Sequence, residues 1–78
     1  MKISILGSGC KKCLKLEENA RNALKELGLE DDADVEKITD VKDIMNYGVM
    51  MTPALAVDDK VVSSGKVLSV EEIKKLIS

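Results

Sequence analysis

The sequence predicts an α/β fold, a mixed four-stranded sheet flanked by three helices in the order β-α-β-α-β-β-α. Three observations carry that expectation. Twice, a short run rich in β-branched residues is followed by a segment with apolar residues three and four apart. An apolar run then meets Asp58-Asp59-Lys60 and a second β-branched run, which reads as a hairpin. The chain closes on one more segment with helical spacing.

Residues 2–6, Lys-Ile-Ser-Ile-Leu, alternate β-branched positions and read as the first strand. Gly7-Ser8-Gly9 is a turn. A helix is expected over residues 10–27, with Cys13, Leu16, Ala20, Ala23, Leu24 and Leu27 as its inner stripe. Lys11, Lys12, Lys15, Glu17, Glu18, Arg21, Lys25 and Glu26 form its solvated face, and Gly28 stops it. Glu30-Asp31-Asp32 reads as an acidic loop, and residues 35–38 as a short second strand.

Thr39 or Asp40 caps the second helix, whose inward residues are expected to be Val41, Ile44 and Met45. It ends at Tyr47-Gly48, with Tyr47 packing at its end. Residues 49–53 are irregular and lead into residues 54–57, apolar throughout like a strand buried on both faces. Residues 61–63 return as its hairpin partner, and Gly65 breaks the strand. Ser69 and Glu72 form a capping box for the last helix, with Val70, Ile73, Leu76 and Ile77 inward and Lys74 and Lys75 near its C-terminus. The first two strands, joined through a helix, must be parallel with a right-handed crossover.

A chain of 78 residues is expected to form one domain, residues 1–78. Tyr47 is the only aromatic residue, so the core must be aliphatic and no stacking surface for bases exists. A net charge of −2 gives no electrostatic case for nucleic acid or an anionic membrane. The longest uncharged apolar run, residues 49–57, is too short to span a bilayer. Residues 1–7 are too short for a signal peptide, and the expected compartment is the cytoplasm. A monomer is the expectation at this size.

The chemistry lies in Cys10 and Cys13, the only cysteines, in a chain without histidine. As a structural staple the pair closes a very short loop, for roughly 2 kcal/mol at most. A closed zinc site needs four ligands, normally Cys or His, and this chain offers two. Redox exchange and two-coordinate soft-metal transfer remain, both of which use a close thiolate pair near the surface. Cys10 falls where strand gives way to helix. The unpaired N–H groups there and the lysines Lys11 and Lys12 push its thiol below the usual value of about 8.5. Cys13 lies one turn on along the same face and, on the inner stripe, is expected to be more buried and less ionised. That asymmetry suits attack by Cys10 and resolution by Cys13.

Gly7-x-x-Cys10-x-x-Cys13 after a first strand, with Pro53 opening a later buried strand, resembles the thioredoxin superfamily. Tyr47-Gly48-Val49 followed by Thr52-Pro53-Ala54-Leu55 is similar to the segment around that family's cis-proline, and Ser63-Ser64-Gly65 with Leu68-Ser69 to its closing glycine and last helix. The small size looks more like glutaredoxins and the short archaeal and bacterial proteins called redox-active disulfide protein 2. The resemblance implies a thioredoxin-like fold and thiol–disulfide exchange with protein disulfides, fed by an upstream disulfide reductase. No bound cofactor and no metal is called for.

By position, Cys10 matches the nucleophile and Cys13 the resolving cysteine. Pro53 matches the cis-proline against the disulfide, Thr52 the residue whose backbone pairs with substrate, and Gly65 the glycine lining that groove. Met45, Met50 and Met51 read first as core filler. Yet Met50 and Met51 precede Pro53 closely enough for one of them to form an apolar substrate rim. The family's buried aspartate behind the cysteines, counted back from Cys10, is replaced by Ser4, which leaves proton removal from Cys13 to water or a lysine. No glutathione-binding signature is identifiable. Copper chaperones also place Cys-x-x-Cys on a strand-to-helix turn, but with the order β-α-β-β-α-β and a Met where this chain has Ser8. A binding module with only regulatory redox chemistry is a third reading.

Overall fold

Alternation along two short strands creates the core. In β1 (Lys2–Leu6) and β3 (Ala54–Val57), successive side chains point to opposite faces of one sheet. Ile3, Ile5 and Leu55 therefore meet Leu16, Ala20, Ala23, Leu24, Leu68, Ile73 and Ile77 on one side. Leu6, Ala54 and Ala56 meet Ile44 and Val49 on the other. In this computed structural model the chain is described at residues 1–7, 9, 11–49 and 51–77; Ser8, Cys10, Met50 and Ser78 lie outside the described residues.

The element order is β1, α1 (Lys11–Glu26), β2 (Asp34–Ile38), α2 (Val41–Asn46), β3, β4 (Lys60–Ser64) and α3 (Val70–Ile77). The sheet runs β2-β1-β3-β4. β1 pairs parallel with β2 and antiparallel with β3, and β3 pairs antiparallel with β4 with a register shift at Leu55/Ala56. This is the mixed sheet with helices on both faces that the sequence predicts, and it is a thioredoxin-like fold.

Local chemistry explains the boundaries. α1 ends in a Schellman motif: Gly28 takes φ 71°, Leu29 N–H donates to Leu24 C=O at 2.8 Å and Gly28 N–H to Lys25 C=O at 3.1 Å. Asp40, not Thr39, caps α2, its carboxylate accepting from Lys42 N–H at 2.8 Å. Asp58 and Asp59, at φ 50° and 69°, make the two-residue hairpin turn, so β4 begins at Lys60. The capping box of α3 forms reciprocally: Glu72 N–H donates to Ser69 Oγ at 3.2 Å, and Ser69 N–H to Glu72 Oε1 at 3.3 Å.

At the start of β1, Lys2 Nζ pairs with Glu36 at 3.3 Å and Asp59 at 3.2 Å. Asp59 also accepts from the Tyr47 hydroxyl at 3.0 Å, while Lys2 N–H donates to Asp58 Oδ1 at 2.9 Å. Tyr47 is thus both a packing residue and a hydrogen-bond donor.

Several expected core residues lie outside it. Val41 is 64% exposed and Met45 66% exposed. α2 has only six residues, and Ile44 alone turns onto the sheet. Leu76 is likewise exposed, while Ile73 and Ile77 carry the contact of α3 and Val70 packs at its edge. In the other direction, Asn19 on α1 is buried, its side-chain amide donating to Leu68 C=O at 2.9 Å and tying α1 to the segment before α3. No helix among the described residues is long and apolar enough to cross a membrane.

Candidate functional site

The site forms where the C-terminal end of β1 meets the first turn of α1. Cys13, on the inner stripe of α1, is 5% exposed. Its sulfur packs directly on Gly7: a Cβ built at Gly7 would overlap the Cys13 Sγ and lie 3.9 Å from the Pro53 Cα. Glycine is required there because the sulfur occupies the volume a side chain would take. Cys10 lies outside the described residues. Lys11 and Lys12 are exposed in the first turn of α1.

Gly7 links Cys13 to the segment before β3. The Thr52–Pro53 peptide bond is cis. Pro53 is buried, Thr52 is exposed, and the Pro53 carbonyl accepts from Gly65 N–H at 2.9 Å. Gly65 has φ 69°, and a Cβ built there would stand 3.1 Å from the Met51 Cβ and Cε. Met51 therefore lies across Gly65 while remaining 65% exposed, a surface residue rather than the core filler first expected. Close approach to Gly65 is available to it because glycine has no side chain to compete for the space. Met50 lies outside the described residues. The structure thus brings Cys13, Pro53, Gly65 and Met51 into one chain of contacts through Gly7, with Thr52 on its exposed side.

Beside Cys13 is a cavity of about 100 Å³ whose lining includes Ile5, Gly7, Cys13, Glu17, Lys37 and Thr39. Ile5, and not Ser4, faces this cavity. Neighbouring strand residues point to opposite faces, so Ser4 lies on the α2 side, away from Cys13. Ser4 is fully buried, and its hydroxyl has no hydrogen-bond partner among the described residues.

Glu17 is also a correction. Expected on the solvated face, its side chain is only 12% exposed. Its Oε2 accepts from Arg21 at 2.9 Å and its Oε1 from Lys37 at 3.2 Å. Burial pushes the Glu17 carboxyl up, but hydrogen bonds and charge from Arg21 and Lys37 outweigh it and hold the group below the usual glutamate value. These ion pairs therefore stabilise the fold above the ordinary glutamate pKa, and that contribution is lost as pH falls through the depressed folded value. The available signal was spacing: Cys13, Glu17 and Arg21 follow at intervals of four along one helix face. Among the described residues, no group of three His, Cys, Asp or Glu side chains is placed to hold a metal ion.

Comparison with known proteins agrees with this arrangement. The family model described as "Thioredoxin domain" matches residues 1–78. The chain is 50% identical over 78 residues to a protein named thioredoxin from Methanothermobacter thermautotrophicus, covering 100% of this chain and 99% of that one. It is 48% identical over 73 residues to a protein of the same name from Methanocaldococcus jannaschii, covering 94% of this chain and 81% of that one. The chain belongs to the thioredoxin family. That is a family of thiol–disulfide oxidoreductases, and its fold accounts for a buried thiol at the first turn of α1 beside a proline that opens β3.

Proposed function

We propose that this chain is a thiol–disulfide exchange protein whose redox centre is the Cys10–Cys13 pair. It carries two electrons from an upstream disulfide reductase to protein disulfides, acting as a cytoplasmic monomer without a bound cofactor. The observation that carries the reading is the seat of Cys13, buried at the first turn of α1 and packed on Gly7. In this reading Cys10, assisted by Lys11 and Lys12, attacks a substrate disulfide, and Cys13 resolves the mixed disulfide. Thr52 offers its exposed backbone to an extended substrate segment, Pro53 and Gly65 floor the groove, and Met51 forms an apolar rim. Met suits such a rim because its flexible thioether adapts to different partners.

The soft-metal carrier reading is less well supported, because the observed order β-α-β-α-β-β-α differs from the order of the copper chaperones. The test is a pair of variants assayed on a model protein disulfide. Cys10→Ser should abolish reduction, while Cys13→Ser should accumulate a mixed disulfide visible by mass spectrometry. Wild-type reduction rates in Cys10→Ser would end the reading.

A further inference from the structure

We propose that the groove between β4 and α3 binds an extended segment of a partner protein, one that presents an apolar side chain and, two residues on, a carboxylate. The groove holds about 470 Å³ and shares no residue with the site around Cys13. Its floor is the buried Leu68, and its apolar rims are the exposed side chains of Val62 from β4 and Leu76 from α3. Ser63 borders it next to Val62, and its charged members are Lys66, Glu72 and Lys75.

The form of the occupant follows from β4. It is the last strand of the sheet, with no further strand beside it among the described residues. A strand edge offers unpaired N–H and C=O groups, which an extended peptide meets with its own. The opposite edge is closed to this by charge: β2 carries Asp34, Glu36 and Lys37 among its five residues, and Glu36 is tied to Lys2. β4 carries only Lys60. Across the pairing with β3, Leu55 faces Ser63 and Ala56 faces Val61, so Val62 is an extra residue in a bulge. Neighbours in a regular strand point to opposite faces, but here Val62 and Ser63 both border the groove. The bulge also bends the edge, which suits a short segment better than the whole edge strand of a second copy.

The charge of the occupant follows from α3. Lys66 pairs with Glu72 at 3.7 Å, and Glu72 is further engaged in the capping box with Ser69. Lys74 is held by Glu26 and Glu71 and lies outside the groove lining. Lys75 has no ion-pair partner among the described residues, which leaves its positive charge in the groove uncompensated. A carboxylate supplies the complement, while an apolar side chain covers Leu68 between Val62 and Leu76. Side chains two residues apart on an extended segment share a face, so one short segment delivers both.

The probe is a fluorescently labelled peptide, Thr-Leu-Thr-Glu-Thr with an amidated end, titrated with the full chain and followed by anisotropy. Saturable binding with a Kd below about 1 mM is expected. Leu76→Ser should weaken it about tenfold by removing an apolar rim. Lys75→Gln should weaken it about threefold, and Gln in place of the peptide's Glu should cost the wild-type chain the same factor. The two changes together should cost no more than either alone, because they remove one contact. In amide NMR spectra the peptide should move the resonances of residues 61–64, 68 and 76. The peptide exchange leaves the chain unaltered, so it decides even if a variant does not fold. No saturation up to about 1 mM, or equal binding by the Glu and Gln peptides, overturns the proposal. So do shifts confined to Thr52 and Gly65, which would seat the peptide in the groove at Pro53. A dimer in sedimentation that Leu76→Ser dissolves also overturns it, since a second copy would then be the occupant.

Discussion

The two faces of the sheet are built from different materials. Under α1 and α3 lie Ile3, Ile5, Leu16, Leu24, Leu55 and Ile73, large aliphatic side chains locked between two helices and the strands. Under α2 lie Leu6, Ala54, Ala56 and Ser4, one large aliphatic side chain among small ones, and the cover is Ile44, Val49 and part of Tyr47. The first face also holds Cys13 with its cavity, whereas the second has an exposed helix back. The difference teaches where a small aliphatic domain concentrates its stability. One face holds the chain together and also seats Cys13, so that cysteine lies against the deepest packing.

Breaking the comparison starts with its largest expected effect. Ile73→Ala should cost about 3–5 kcal/mol, because a fully buried side chain between two helices leaves a cavity that cannot collapse. Ile44→Ala should cost about 2 kcal/mol, since a six-residue helix over a mostly small-residue face can settle inward. Against a total on the order of 4–12 kcal/mol for this length, the first removes a large share of the stability and the second a smaller one. Urea denaturation midpoints measure both, and equal costs would remove the asymmetry.

Buried polar groups sharpen it further. Asn19→Ala should cost about 1–3 kcal/mol by leaving the Leu68 carbonyl unpaired. Ser4→Ala removes a buried hydroxyl that has no partner among the described residues and should leave stability unchanged or raise it by about 1 kcal/mol. The smallest effect belongs to the back of α2, where Val41→Thr with Met45→Gln should stay within about 0.5 kcal/mol by the same measurement.

The sequence made the element order legible because each element carries its own local signal. Gly28, Asp40, the Asp58-Asp59 turn and the Ser69–Glu72 box each fix a boundary through a hydrogen bond made within a few residues. What it obscured depends on contacts distant in the chain. Helical spacing placed Val41 and Met45 inward, but a helix this short touches the sheet at one position. Spacing also placed Glu17 outward, because nothing local says that Lys37, twenty residues on, comes alongside it. Of the site, Cys13, Thr52, Pro53 and Gly65 were legible as motif positions, while the surface placement of Met51 follows from Gly65 leaving it room.

The knot formed by Lys2, Glu36, Tyr47 and Asp59 lies at the far pole of the sheet from the sulfur. Its charged members stand in water, where dissolved ions screen attraction over about 8 Å at physiological ionic strength. The sulfur's pole is held by aliphatic packing, with the Glu17 carboxylate largely withdrawn from solvent. Brine should therefore slacken one pole of this molecule while leaving the other taut, and a salty milieu would erode its anchorage before its chemistry.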